Sequence, residues 1–122
     1  MERAPSPLQI KSEEYTGRIV KLYRYLLSTK KEKTMASQVY RSGTSIGANI
    51  AESRYAQSAP DFISKLSIAL KEAGETEYWL GSLFKAGLID QKGYESMLSD
   101  NTELTKMLIA SIKTMKKKLD SD

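Results

Sequence analysis

The chain has 122 residues, 40% of them hydrophobic, and its 19 basic and 15 acidic residues give a formal charge of +4. It contains neither cysteine nor histidine, which excludes disulfides, thiolate chemistry and the commonest metal ligand and general base. No apolar run approaches the roughly 20 residues that span a bilayer, and the amino terminus lacks the apolar centre of a secretion signal. We therefore expect a cytoplasmic protein with one domain, no cofactor and no membrane association.

Residues 1–8 hold two of the three prolines and are predicted to form a flexible tail before a single domain at residues 9–122. Ser12 is the expected N-cap of the first helix. Apolar residues then recur at four- and three-residue steps, which predicts a helix to about Ser28, at Tyr15, Ile19, Leu22 and Leu26. Three basic residues of this helix lie outside the apolar stripe and are interpreted as a solvated face, namely Arg18, Lys21 and Arg24.

A second helix is predicted from about Thr34 to Ala56, and it is unusually rich in glycine, serine and asparagine. Each interior glycine costs about 0.5–1 kcal/mol relative to alanine, so packing must compensate and the helix should be central. Gly43, Gly47 and Ala51 are spaced by four and should let another helix come close. The opposite flank is polar and carries Gln38, Ser42, Ser45 and Asn49, with Arg41 and Glu52 beyond.

The third helix is predicted to begin after Ser58 as N-cap and to stop at Gly87. The fourth should begin between Asp90 and Tyr94. Its expected seam alternates steps of four and three, through Tyr94, Leu98, Asn101, Thr105, Leu108, Ile112, Met115 and Leu119. No stretch alternates like a strand, so the predicted fold is all-α, an antiparallel up-down four-helix bundle.

Glu72, Glu75 and Trp79 share one side of the third helix at steps of three and four. We predict a buried structural polar network in which Arg41 pairs with Glu72 or Glu75, since buried charges need partners. Asn49 and Ser45 are expected to satisfy the remaining groups of this network, which also includes Glu52. The alternative is a carboxylate pair for acid–base chemistry or a metal. Helical di-metal sites combine glutamate with histidine, which this chain lacks, so we expect no catalytic residue and no metal ligand.

Basic residues concentrate in two places, Lys30, Lys31 and Lys33 after the first helix and Lys113, Lys116, Lys117 and Lys118 near the carboxyl end. An up-down topology should place these clusters at opposite poles. They either serve solubility and helix-dipole compensation or bind phosphate, an attraction that several copies in an assembly would multiply. Six tyrosines are expected in helices and are open to either exposure or a subunit boundary, namely Tyr23, Tyr25, Tyr40, Tyr55, Tyr78 and Tyr94.

The run from Arg41 to Glu52, RSGTSIGANIAE, resembles the signature of the ribosomal-RNA intervening-sequence protein family, commonly labelled four helix bundle protein. Residues 71–76 (KEAGET) with Tyr78-Trp79-Leu80 resemble the third-helix block of that family, and residues 18–23 resemble its first helix. The resemblance implies a left-handed up-down bundle that assembles into a ring, as a homopentamer.

The relatives implied by this resemblance include proteins encoded within ribosomal-RNA insertions. They also include accessory proteins of diversity-generating retroelements, which bind nucleic acid and a reverse transcriptase. Tyr78-Trp79-Leu80 is more similar to the former group. The expected function is therefore non-enzymatic binding of RNA or other nucleic acid by a homo-oligomeric ring. The alternative is a protein-docking adaptor or structural ring without a nucleic-acid ligand.

Overall fold

A computed structural model describes residues 5–121 and contains four α-helices in this range, α1 (Pro7–Ser28), α2 (Thr34–Ser53), α3 (Ala59–Lys85) and α4 (Gln91–Ser121). The links at 29–33, 54–58 and 86–90 have five residues each. Five residues reach at most about 17 Å, whereas α1 is about 33 Å long. Successive helices must therefore run antiparallel. Each helix packs on its neighbours in sequence, and α4 returns to α1. The predicted all-α four-helix bundle is confirmed.

The two ends of α3 follow the local signals in the sequence. The Ser58 hydroxyl accepts a hydrogen bond from the Asp61 backbone N–H at 3.2 Å. At the other end Gly87 has φ +74°, and the Leu88 N–H donates to the Leu83 carbonyl at 2.9 Å. These bonds satisfy backbone groups that the helix leaves free at its ends. Both predicted caps are confirmed.

The start of α1 differs from the prediction. Ser6 accepts a hydrogen bond from the Gln9 N–H and is the N-cap, while Ser12 lies inside the helix, where its hydroxyl donates to the Gln9 carbonyl. Leu8 is buried, and its contribution to the core explains the earlier start. Pro7 and Leu8 of the predicted tail are thus helical, and residues 1–4 lie outside the described residues.

The seam of α4 also differs from the prediction. The buried positions are Met97, Asn101, Leu104, Leu108 and Ile112, so the seam uses Met97 and Leu104 in place of Leu98 and Thr105. Asn101 is a core residue whose side-chain amide donates to the Ala73 carbonyl of α3 at 3.0 Å. Leu119 is 40% exposed, so the seam ends before the helix does.

Close packing of α2 on α1 matches the expectation from its glycines. A Cβ atom on Gly47 would lie 2.7 Å from the Thr16 hydroxyl oxygen of α1, closer than real Cβ contacts. α2 ends at Ser53, earlier than predicted, so Tyr55 lies in the following turn and not in a helix. Within residues 5–121, none of the helices is long and apolar enough to cross a lipid bilayer.

Candidate functional site

A polar cluster lies on the outer surface where α2 packs against α3. The Arg41 guanidinium forms an ion pair with Glu72 at 3.3 Å and a second one with Glu75. It also donates to the Gln38 side-chain oxygen from Nε and Nη2. The structure therefore brings Arg41 together with both predicted carboxylates.

Trp79 completes the cluster one turn after Glu75. Its indole Nε1–H donates to the Glu75 carboxylate at 3.0 Å, and Tyr78 contacts the Trp79 ring edge-on at 5.0 Å between centroids. The spacing of three and four that places Glu72, Glu75 and Trp79 on one side of α3 is thus used in a single hydrogen-bonded group. Glu75 serves both Arg41 and Trp79, so it is the centre of the cluster.

A buried hydrogen bond lies beneath these charged groups. The Thr76 hydroxyl is within 2.9 Å of the Ser42 hydroxyl and 2.8 Å of the Glu72 carbonyl, and both side chains are fully buried. A hydroxyl taken out of water needs such a partner. This pair therefore fixes how α2 and α3 face each other below the surface cluster.

The rest of the predicted network does not contact the Arg41 guanidinium. The Ser45 hydroxyl donates to the Arg41 carbonyl and the Asn49 amide donates to the Ser45 carbonyl, so both satisfy the backbone of their own helix. Glu52 pairs with Lys65 at 3.5 Å, nearer the other end of α3. The expected role of Ser45 and Asn49 is wrong, because short polar side chains in a helix can reach the carbonyl one turn earlier.

The chemistry open to the cluster is limited by its charge balance and exposure. Half of the Arg41 side chain is exposed, so water reaches the group, contrary to the buried network that we expected. A cation entering between Glu72 and Glu75 would have to displace the guanidinium. Among residues 5–121, no three acidic side chains come together in a way that could hold a metal ion. The arrangement fits a structural role, in which the ion pairs of Arg41 connect α2 to α3.

A second charged cluster, which sequence reasoning missed, joins α1 to α4. Lys11 contacts Asp100 at 2.9 Å and Glu103 at 3.2 Å, and Arg18 contacts Asp100 at 2.6 Å. Arg18 also donates to the Ser96 hydroxyl at 2.8 Å. Arg18 is still 38% exposed, but it is bonded to α4 and is therefore more than part of a solvated face. No local signal reveals this cluster, because the residues that Lys11 and Arg18 contact at Ser96 and Asp100 are 78 to 89 positions away in the chain, and Glu103 is farther still from Lys11.

These contacts shift the ionisation of the cluster. Burial alone would raise the pKa of Asp100, but the hydrogen bonds and positive charges of Lys11 and Arg18 outweigh it, and the pKa lies below its ordinary value. The hydrogen bond to Asp100 raises the pKa of Lys11. Burial raises the pKa of Tyr15, whose hydroxyl donates to the Met97 carbonyl at 3.2 Å. All three shifts favour the protonation states that hold α1 against α4 near neutral pH.

The predicted basic clusters are exposed, and they lie at different ends of the bundle. Residues 30, 31 and 33 are in the link between α1 and α2. Residues 113, 116, 117 and 118 follow Ile112, the last buried position of α4. None of these seven lysines forms an ion pair with another described residue. Because the helices alternate in direction, the two clusters lie at opposite poles.

Residues 8–110 of the chain match the protein-family model that is described as 23S rRNA-intervening sequence protein. The chain is also similar to a protein with unknown function from the S23 ribosomal protein family of Bacteroides thetaiotaomicron VPI-5482, known from a crystal structure at 1.70 Å resolution. The two are 54% identical over 87% of this chain and 98% of that chain, with a TM-score of 0.86. Comparison with curated proteins gives no match. The family match includes both motifs, at residues 41–52 and 71–80, and ends before the lysines at 113–118.

Proposed function

Because this chain belongs to the 23S rRNA-intervening sequence protein family, we propose that it acts by binding and not by catalysis. In this proposal the chain assembles into a ring-shaped homo-oligomer, a pentamer, that binds RNA or other nucleic acid through its basic surfaces. The family description names a ribosomal RNA, which favours RNA as the partner. The charge-compensated cluster at Arg41 adds support, since it provides neither a free base nor an open metal site.

The observation that carries the proposal is the exposed carboxyl-terminal part of α4. After Ile112 this helix has four exposed lysines, at 113, 116, 117 and 118. Lys113, Lys116 and Lys117 are spaced by three and four and thus share one face. Cations without an acidic partner on an exposed stretch of helix can reach phosphates without first breaking an ion pair. This support comes from the chain itself, since the family match ends at residue 110.

Assembly would turn this modest charge into useful affinity. A single chain has a formal charge of only +4, and a few lysine–phosphate contacts bind weakly at physiological salt. Copies around a ring would present the same lysines repeatedly to one strand, so that each contact raises the effective concentration of the next. The proposed function therefore needs the proposed ring.

A protein-docking ring is the second candidate, and exposed aromatic side chains favour it. Tyr55 is 86% exposed and Tyr78 is 64% exposed. Tyrosine combines a large apolar body with a polar tip, which suits a protein interface. The same side chains could be covered by neighbouring copies in the ring, so they support association with protein in either case.

The deciding experiment is a titration of fluorescently labelled RNA at several salt concentrations, together with native mass spectrometry of the free protein. Phosphate-driven binding must weaken steeply with salt, and the logarithmic slope should fall by roughly 0.7 for each single-strand contact removed. The variant Lys116→Gln/Lys117→Gln should lower both affinity and slope. Lys71→Gln/Lys106→Gln removes the same charge from the middle of the bundle and should change them less.

Two results would overturn parts of this proposal. Absence of RNA binding at low salt would leave the protein-docking ring as the better candidate. A monomeric mass under native conditions would remove the ring and, with it, the repeated contacts on which the proposed nucleic-acid affinity depends.

A further inference from the structure

A groove of about 700 Å³ opens between the carboxyl-terminal half of α1 and the link that joins α3 to α4. Its lining includes four apolar side chains, Leu22, Leu88, Ile89 and Met97. Opposite α1, the groove is lined by the link residues 87–90 and by Gly93 and Met97 in the first turns of α4. Its volume falls within the range of about 300–1,000 Å³ that is common for ligand sites.

The rim of the groove is positively charged. Lys21 and Lys30 line it, both are exposed, and neither forms an ion pair within residues 5–121. Arg18 also lines it, with its guanidinium held by Asp100. The acidic lining residue is Asp90, one of whose oxygens already accepts the Gly93 N–H at 2.7 Å. An anionic occupant would therefore meet two unpaired cations.

Tyr25 adds an aromatic surface to these cations. It lines the same groove and is 41% exposed. Proteins that hold single-stranded nucleic acid combine an aromatic side chain, on which a base stacks, with cations that follow the phosphates. A fatty acid would use the apolar floor and one cation but would not need the aromatic ring of Tyr25.

We infer that this groove binds an unpaired nucleotide of single-stranded nucleic acid. The base stacks on Tyr25 over the apolar floor, and the neighbouring phosphates contact Lys21 and Lys30. This inference rests on the proposed nucleic-acid function and adds a preference to it. The exposed lysines of α4 attract any phosphate chain, whereas the groove takes only a base that is free of a duplex.

The first test compares binding of a single-stranded oligonucleotide and a duplex of the same length, by fluorescence anisotropy. Tyr25→Leu keeps an apolar side chain but removes the aromatic ring. It should weaken single-strand binding roughly five- to hundredfold, as expected when one base loses its stacking partner. Duplex binding should stay unchanged. Tyr25→Phe keeps the aromatic ring and should retain single-strand affinity. Lys21→Gln/Lys30→Gln removes the two cations of the rim and should also weaken single-strand binding.

The second test locates the ligand with methyl-labelled methionines. Met97 lines the groove, and Met115 lies among the lysines of α4. A single-stranded oligonucleotide should shift the Met97 methyl resonance, and the duplex should not.

The outcomes separate this inference from the proposed function. Oligonucleotide binding that shifts only Met115 and is insensitive to Tyr25→Leu would overturn the groove inference and leave the proposed function standing. A complete absence of nucleic-acid binding would end both. A Met97 shift with octanoate but not with the oligonucleotide would assign the groove to an amphipathic anion and overturn the inference.

Discussion

Gly43 of α2 lies directly against Ile19 of α1. A Cβ atom at position 43 would be 2.6 Å from Ile19 Cδ1 and less than 3 Å from Cγ1 and Cγ2. Three of the four side-chain carbons of Ile19 lie within this distance, and Ile19 is fully buried. Rotation of one terminal group therefore cannot relieve the contact, and α1 or α2 must move to admit a methyl group.

Gly43→Ala should consequently destabilise the protein, although alanine is the better helix former. In an open helical position the change would stabilise by about 1 kcal/mol, whereas overpacking here should cost about 1–3 kcal/mol. Urea unfolding measures the difference. Gly74→Ala in α3 is the matched control, because nothing lies within 4 Å of its added Cβ, and it should stabilise. Equal gains from both variants would contradict the close approach of α1 and α2.

Lys31 adopts φ +56° in the link after α1, a left-handed conformation that favours glycine. Lys31→Gly should therefore raise the free energy of unfolding by about 0.5–1 kcal/mol, since the steric cost of the side chain exceeds the entropic cost of glycine. Lys30→Gly makes the same chemical change at a residue without positive φ and should lower stability. Both variants lose one positive charge, so a difference between their thermal unfolding midpoints reports the backbone strain at position 31.

Asp100 should make stability depend on acid pH. Its pKa is lower in the folded chain than the ordinary value of 3.8, so its contribution is present above pH 3.8 and is lost as pH falls through the folded pKa. Lys11 has a raised pKa, so its contribution is present below its ordinary value of 10.5 and is lost as pH rises further. Near neutral pH both contributions are complete.

The Asp100→Asn variant checks this assignment. It should be less stable than the wild type at pH 7 and should lose less stability between pH 5 and pH 2, as followed by unfolding midpoints in urea. Asp120→Asn, at an exposed residue of α4 without an ion pair to the described chain, should leave the wild-type acid profile in place. An Asp100→Asn profile parallel to the wild type would show that another carboxylate dominates.

The ion pair between Arg41 and Glu75 should contribute only modestly to stability. Exposed pairs typically contribute about 0.2–1 kcal/mol, and Arg41 is half exposed. A double-mutant cycle with Arg41→Gln and Glu75→Gln should give a coupling energy in this range. Glu77→Gln in the same helix is the control, because Glu77 forms no ion pair with Arg41. A cycle that combines it with Arg41→Gln should give no coupling energy. A value of several kcal/mol would show that the pair is buried, as in a ring interface.

Trp79 provides an independent readout of the same cluster. It is the only tryptophan, and its indole N–H bonds to Glu75. Glu75→Leu should therefore shift the emission spectrum of the native protein, whereas Glu72→Gln should leave it nearly unchanged.

Sequence reasoning determined the features that depend on neighbouring residues. Ser58 and Gly87 mark the ends of α3 because capping bonds reach only three to five positions. The spacing of Glu72, Glu75 and Trp79 placed them on one side of α3, and the composition of α2 required close packing to offset its glycines. The family motifs lie in these same helices.

Only the tertiary structure decided between local alternatives of similar quality. Ser6 and Ser12 are equally good caps, and burial of Leu8 selects Ser6. In α4, the pairs Leu98–Thr105 and Met97–Leu104 have the same seven-residue spacing, and burial of Met97 and Leu104 shows that the core uses the second. The Lys11–Asp100–Arg18 cluster and the groove join segments that no pattern along the chain connects. Local geometry follows from adjacent residues, whereas the choice of partner depends on which distant surfaces are brought together by burial of a common core.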